Sequence, residues 1–116
     1  MKRSLLTADV LLAGATITHT ILVPPEVLHP GQTSSKENDT AGEVSLKPLS
    51  IGAFQLIQKA ARQDNSLIPL LMVKESLVEP SLSLAQVKSM PVGLVRFLVE
   101  HIRSISGLSE KKSSSI

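Results

Sequence analysis

The 116-residue chain has no cysteine, no tryptophan and no tyrosine. Without cysteine there is no disulfide scaffold, no thiolate metal site and no cysteine nucleophile. Its only aromatics are Phe54 and Phe97. A core must therefore be built from Leu, Ile, Val, Ala and Met, and the stacking platforms of single-stranded nucleic-acid binders are missing. A dominant charge is missing as well. Lys plus Arg exceed Asp plus Glu by 12 − 10 = +2, so the pI near 9.2 reflects a small surplus and not a basic patch. Long apolar runs are also absent. The longest, Val10–Ala15 and Leu67–Val73, fall far below the ~20 residues that cross a bilayer, and no membrane partner is expected. The length suits one domain. Apolar residues at 42% and charged residues at 19% suit a chain that folds.

Met1-Lys2-Arg3, the leucines that follow and Ala13-Gly14-Ala15 imitate a signal peptide with an A-x-A cleavage pattern. Asp9 puts a charge in the middle of its apolar region. We read the stretch as a short amphipathic helix instead, with Thr7 as cap, Asp9 in the first turn and Gly14 at the end. Residues 16–28 read as extended; 16–23 are mostly β-branched and predict a strand with Ile17, His19, Ile21 and Val23 on one face. Pro24-Pro25 interrupts the ladder and implies an edge strand or a strand end. Residues 29–42 hold no strong apolar side chain and predict a loop. Glu43–Lys47 predicts a second strand, pairing with the first as a long-looped hairpin that leans on the helices.

From Ser50 the period becomes helical. Ser50 is an N-cap. In 51–63 the residues Ala53, Phe54, Leu56, Ile57, Ala60 and Ala61 form the apolar stripe. Ser66 caps a second helix, 67–78, which is apolar on nearly all sides and is expected to be the central buried one, with Leu71 at its middle. Glu79-Pro80 stops it. Ser83 to Gln86 is a capping box for a short helix ending near Ser89. A last helix follows Met90-Pro91, with Leu94, Val95, Leu98, Val99, Ile102 and Ile105 on one wide face. Arg96, Glu100 and Arg103 lie opposite at ion-pairing spacing. Leu98 and Ile102 are expected in the core, and Phe97 at the rim, partly exposed. Gly107 suits a helix C-terminus with Leu108 as its apolar follower. Residues 109–116 read as a polar tail.

Catalytic signals are few. His19, His29 and His101 have no metal-ligand spacing; His19, Glu26 and His29 would have to converge through the loop, and no metal site is expected. No serine sits in G-x-S-x-G or S-x-x-K. No carboxylate pair marks an acid and a base, and phosphate-binding glycine patterns are absent. The expectation is no catalytic residue, no cofactor and no enzyme. Nucleic acid is not an expected partner, because Glu100 sits between Arg96 and Arg103 on the face that would meet phosphate. A binding or assembly role remains. The broad apolar surface of the helical half admits two readings, a tightly packed Leu-rich core or a face for a partner or a second copy.

The order of the short motifs is informative. Glu43-Val-Ser-Leu-Lys-Pro-Leu-Ser50 leads into the first long helix, followed by Ser76-Leu-Val-Glu-Pro80, Leu82-Ser-Leu-Ala-Gln-Val87, Met90-Pro-Val-Gly93 and Ser106-Gly-Leu108. Over residues 7–108 this resembles the small tail assembly chaperones of tailed bacteriophages. The resemblance implies a helical, non-enzymatic protein of the bacterial cytoplasm. Such a protein keeps the tape measure protein soluble while the tail tube protein polymerises around it.

The expectation is thus a single α+β domain, mainly α, with an N-terminal β-hairpin followed by a bundle of about four helices. Its parts are a short helix and strand (7–28), a loop (29–42), a strand (43–48), a helical part (50–107) and a tail (109–116). The candidate partner-binding rim is Arg96, Phe97, Glu100 and Arg103. A structural virion or injection-apparatus component is the alternative reading, and a DNA-binding regulator the next. Oligomeric state is left open.

Overall fold

A computed structural model describes residues 5–28 and 42–108. The fold is α+β and mainly helical. Helix α1 (Ala8–Ala13) starts from Thr7, whose Oγ1 accepts from Val10 N–H at 3.3 Å. A 3₁₀ turn over Gly14–Thr16 follows it, so the first strand is shorter than the composition predicts: β1 is His19–Val23. Thr16 is drawn into the turn because its hydroxyl donates to the Ala13 carbonyl at 3.0 Å. Residues 25–28, expected to be extended, instead form a single helical turn, α2 (Pro25–Leu28). Its second proline sits at the first helical position, where a missing N–H costs nothing.

Strand β2 (Gly42–Leu46) pairs antiparallel with β1, from His19 opposite Leu46 to Val23 opposite Gly42. Gly42 thus belongs to the strand and not to the loop. The rest of the expected loop, the tail and His29 lie outside the described residues. His19, Ile21 and Val23 turn inward while Thr20 and Leu22 face out, as period-two alternation requires. Val44 and Leu46 share the inner face opposite Ile21 and His19.

The helical half contains α3 (Ile51–Ala60), α4 (Leu67–Ser76), α5 (Leu84–Lys88) and α6 (Val92–Ile105). Ser50 caps α3 by accepting from Ala53 N–H at 3.1 Å. The helix stops at Ala60, three residues before the periodicity ends, because Ala61 leaves helical geometry and Ala61–Gln63 form a turn. Its buried stripe is narrower than expected: Ile57 and Ala61 are buried, Ala53 and Phe54 half-buried, but Leu56 and Ala60 exposed.

Two expectations about α4 are corrected. Ser66 does not cap it with its side chain. The Ser66 hydroxyl donates to Asp64 Oδ1 at 2.6 Å and Ser66 N–H donates to the same atom at 3.1 Å. The Asp64 carboxyl is held below its ordinary value of 3.8, first by the hydroxyl bond and then by the backbone bond. The first amides of the helix are taken by the carbonyls of Asp64 and Asn65. The helix also ends at Ser76, and Leu77–Glu79 form β3, a third strand antiparallel to β2. The reason is Ser76, fully buried. Its Oγ donates to the Lys47 carbonyl at 2.6 Å, and Lys47 N–H donates back to the Ser76 carbonyl at 2.9 Å. That pair docks the helix end on the open edge of β2, whose remaining amide and carbonyl groups then recruit the next residues into the sheet.

The capping box of α5 is formed in full. Gln86 N–H donates to Ser83 Oγ at 3.3 Å and Ser83 N–H to Gln86 Oε1 at 2.9 Å. Helix α6 closes on Gly107 at φ 77°, a left-handed value that glycine takes without strain. Gly107 N–H donates to the Ser104 carbonyl and Leu108 N–H to the Arg103 carbonyl, the bond pair of a Schellman motif. Leu46, Ile57, Met72, Val73, Leu77, Val87, Leu98 and Ile102 form the core. Leu98 and Ile102 are central, as expected, whereas Leu71 is only half-buried and cedes the middle to Met72 and Val73. A helix apolar all round carries no mark of which side faces in.

Candidate functional site

Helix α4 packs on α6, α5 and α3. Where α4, α5 and α6 meet, they leave an open groove of about 530 Å³, within the size range of binding clefts. Pro69 and Leu70 of α4, Val87 and Met90 at the end of α5, and Val92, Val95 and Val99 of α6 supply its apolar lining. Lys88, Arg96 and Glu100 supply charge at its border, and all three are exposed.

The arrangement follows from helical spacing. Residues 92, 95, 96, 99 and 100 are three or four apart and form one stripe on α6. Leu98 and Ile102 lie on the next stripe and are buried against α4 and the sheet cluster. The Pro91 carbonyl accepts from both Leu94 and Val95 N–H, which fixes the first turn and leaves Val92 67% exposed at the groove mouth.

The four expected rim residues do not act as a unit. Arg96 and Glu100 line the groove. Phe97 lies ~160° around the helix from the Val95–Val99 line and is half-buried, its ring tilted against His101 at a centroid distance of 4.6 Å. Arg103 is on the groove stripe, but its Nη2 donates to the Leu108 carbonyl at 3.1 Å. With the Leu108 N–H bond to the Arg103 carbonyl at 2.7 Å, this makes Arg103 part of the helix cap. Sequence reading missed Lys88 and Met90, because the turn between α5 and α6 brings them to the groove and periodicity within one helix gives no sign of it; it also missed Val92, which helical spacing from Val95 and Val99 places on the groove stripe.

A smaller recess of about 290 Å³ lies between the start of α3 and the end of α6, lined by Leu49, Ile51, Phe54 and Leu108 among others. Beside it, Leu49 N–H donates to Ser106 Oγ at 2.8 Å, joining the first residue before the α3 cap to the end of α6. Among the described residues no three His, Asp or Glu side chains stand close enough to share a metal ion. No helix there is long and apolar enough to cross a membrane. No protein-family model, curated protein or solved structure matches this chain.

Proposed function

We propose that the chain is a tail assembly chaperone of a tailed bacteriophage or prophage. It acts in the host cytoplasm by protein–protein binding, without catalysis. Its client is the tape measure protein, handed on as the tail tube protein polymerises. The observation that carries this reading is the groove between α4, α5 and α6: an open apolar floor with both signs of charge at its border. An amphipathic helix fits such a trough, its apolar stripe on Leu70, Val95 and Val99 and its polar flanks beside Lys88, Arg96 and Glu100. The ordered motifs from Lys47-Pro-Leu-Ser50 to Ser106-Gly-Leu108 support the same reading.

The test is co-expression with the long helical tape measure protein encoded nearby. The client alone is expected in the pellet and the co-expressed client in the soluble fraction. Charge reversal of Arg96 to Glu is expected to slow association more than it lowers stability. Apolar contact makes the complex survive raised salt, whereas a phosphate-driven one would weaken steeply. A client that stays insoluble sinks the proposal. So does recovery of this chain at stoichiometric levels in mature particles, which would make it a structural component.

A further inference from the structure

We propose that α1 is a docking helix for this same groove on a second copy of the chain, so that two copies exchange their N-terminal helices. The inference concerns the same groove that the chaperone reading gives to the client: the exchanged α1 fills it when no client is bound, and the test uses this chain alone, so that its failure leaves the client reading standing. Helix α1 has no buried residue, and its main packing partner is the 3₁₀ turn that follows it. Leu11 and Leu12 are 67% and 68% exposed. Among the described residues there is thus an apolar ridge without a seat and an apolar seat without a ridge, and contiguous apolar surface of this kind marks an interaction site.

The two match in length and charge. Six residues of α1 span ~9 Å, and the groove stripe from Val92 to Val99 rises ~10 Å along α6. Asp9 is the only charge in α1 and neighbours Leu12 at i, i+3 spacing. Setting the Leu11–Leu12 edge on Leu70, Val95 and Val99 brings Asp9 to the groove border. There Lys88 and Arg96 outnumber Glu100, so the border carries a surplus of one positive charge. The helix is joined to β1 through the 3₁₀ turn Gly14–Thr16 and the connector Ile17-Thr18, and none of its residues is buried. Two copies exchanging helices reciprocally satisfy both surfaces and close the assembly as an isologous pair.

Sedimentation velocity of the full chain over a range of concentrations tests this. A reversible dimer is expected. Leu11→Asp on the ridge and Val92→Asp in the seat should each raise its dissociation constant by at least about tenfold. Both sites are exposed, so the thermal midpoint of the monomer should stay put, which separates lost docking from lost folding. Asp9→Lys and Arg96→Glu should each weaken the dimer, and the two together should recover part of the loss. A chain monomeric at every concentration overturns the proposal, as does a dimer indifferent to Leu11→Asp or Val92→Asp. A monomer that co-sediments with anionic phospholipid vesicles through Leu11 also overturns it, assigning α1 to a membrane surface instead.

Discussion

Helices α1 and α4 are both rich in apolar residues, yet one is wholly in solvent and the other forms part of the core. Leu11 and Leu12 of α1 are exposed, whereas Met72 and Val73 of α4 are closed off. Their local signals are alike: each is short and contains two consecutive leucines. The difference is in what the chain does on either side. Helix α4 is followed by Ser76, whose bonds to Lys47 weld it to the sheet, and α3, α5 and α6 surround it. Helix α1 is followed by a 3₁₀ turn and a two-residue connector that lead straight into β1. Apolar content says that a helix seeks a partner; chain connectivity decides whether the partner lies in the same molecule.

The largest effect that sharpens this contrast is cavity formation at the core. Leu98→Ala removes a buried side chain from the cluster joining α4, α6 and the sheet, and should cost about 2–5 kcal/mol of unfolding free energy. Leu11→Ala should cost less than about 0.5 kcal/mol in the monomer. Chemical denaturation of both variants measures the difference, and similar losses would break the comparison.

The weld at Ser76 comes next. Ser76→Ala leaves the Lys47 carbonyl without its hydroxyl partner in a part-buried setting and should cost about 1 kcal/mol. Hydrogen exchange should then show the β3 amides opening before those of α6. Uniform loss of protection would mean that the weld does not set the helix–sheet boundary.

The two caps provide a controlled pair. Thr7 and Ser83 each accept a backbone N–H at 3.3 Å, so the removed bond is alike. Ser83→Ala should lower global stability by about 1 kcal/mol, because α5 packs on α4. Thr7→Ala should fray α1 and leave the unfolding midpoint of the monomer unchanged, since no residue of α1 is buried in its own chain. A drop in midpoint for Thr7→Ala would place α1 in the cooperative unit.

The smallest effect is the pH dependence of the turn before α4. Asp64 titrates below its ordinary value because its carboxylate accepts from the Ser66 hydroxyl and N–H. A carboxyl lowered on folding contributes stability above its unfolded pKa, and loses it as pH falls through the folded value. The contribution therefore disappears only in the acid range below about pH 4, and it is small because the group is open to solvent. An NMR titration should show Ser66→Ala moving the Asp64 midpoint upward. An unmoved midpoint would dismiss the hydroxyl as its main cause.

Much of this architecture was legible in the chain. Ser50, Thr7 and the Ser83–Gln86 box announce helix starts because a short polar side chain satisfies amides only a turn away. Gly107 and Leu108 announce the end of α6 for the same local reason. The inward faces of β1 and β2 follow from alternation alone. Of the expected rim, Arg96 and Glu100 both line the groove because helical spacing puts them on one stripe. Arg103 shares that stripe, but its guanidinium turns to a carbonyl beyond the helix end. Phe97, expected at the rim of the apolar stripe and partly exposed, is half-buried beside His101 on the side of α6 away from the groove, because successive residues diverge by ~100° around a helix.

What the sequence by itself determined was most of what contacts within about one turn carry: the side-chain caps of α1, α3 and α5, the strand faces, the amphipathic stripe of α6 and its glycine stop, with the Ser66–Asp64 turn and the 3₁₀ turn at Thr16 as local exceptions. What only the tertiary structure decided was everything that depends on a distant neighbour. Residues Leu77–Glu79 became a strand because the edge of β2 offered hydrogen bonds that outweighed the periodicity of α4. Leu71 lost the core centre to Met72 and Val73 because the surroundings, and not the helix, choose its inner face. The groove exists because the short α5 and its turn set Val87, Lys88 and Met90 against α4 and α6. Backbone hydrogen bonds and burial are satisfied wherever a partner lies in space, and local sequence records only the partners that lie nearby in the chain.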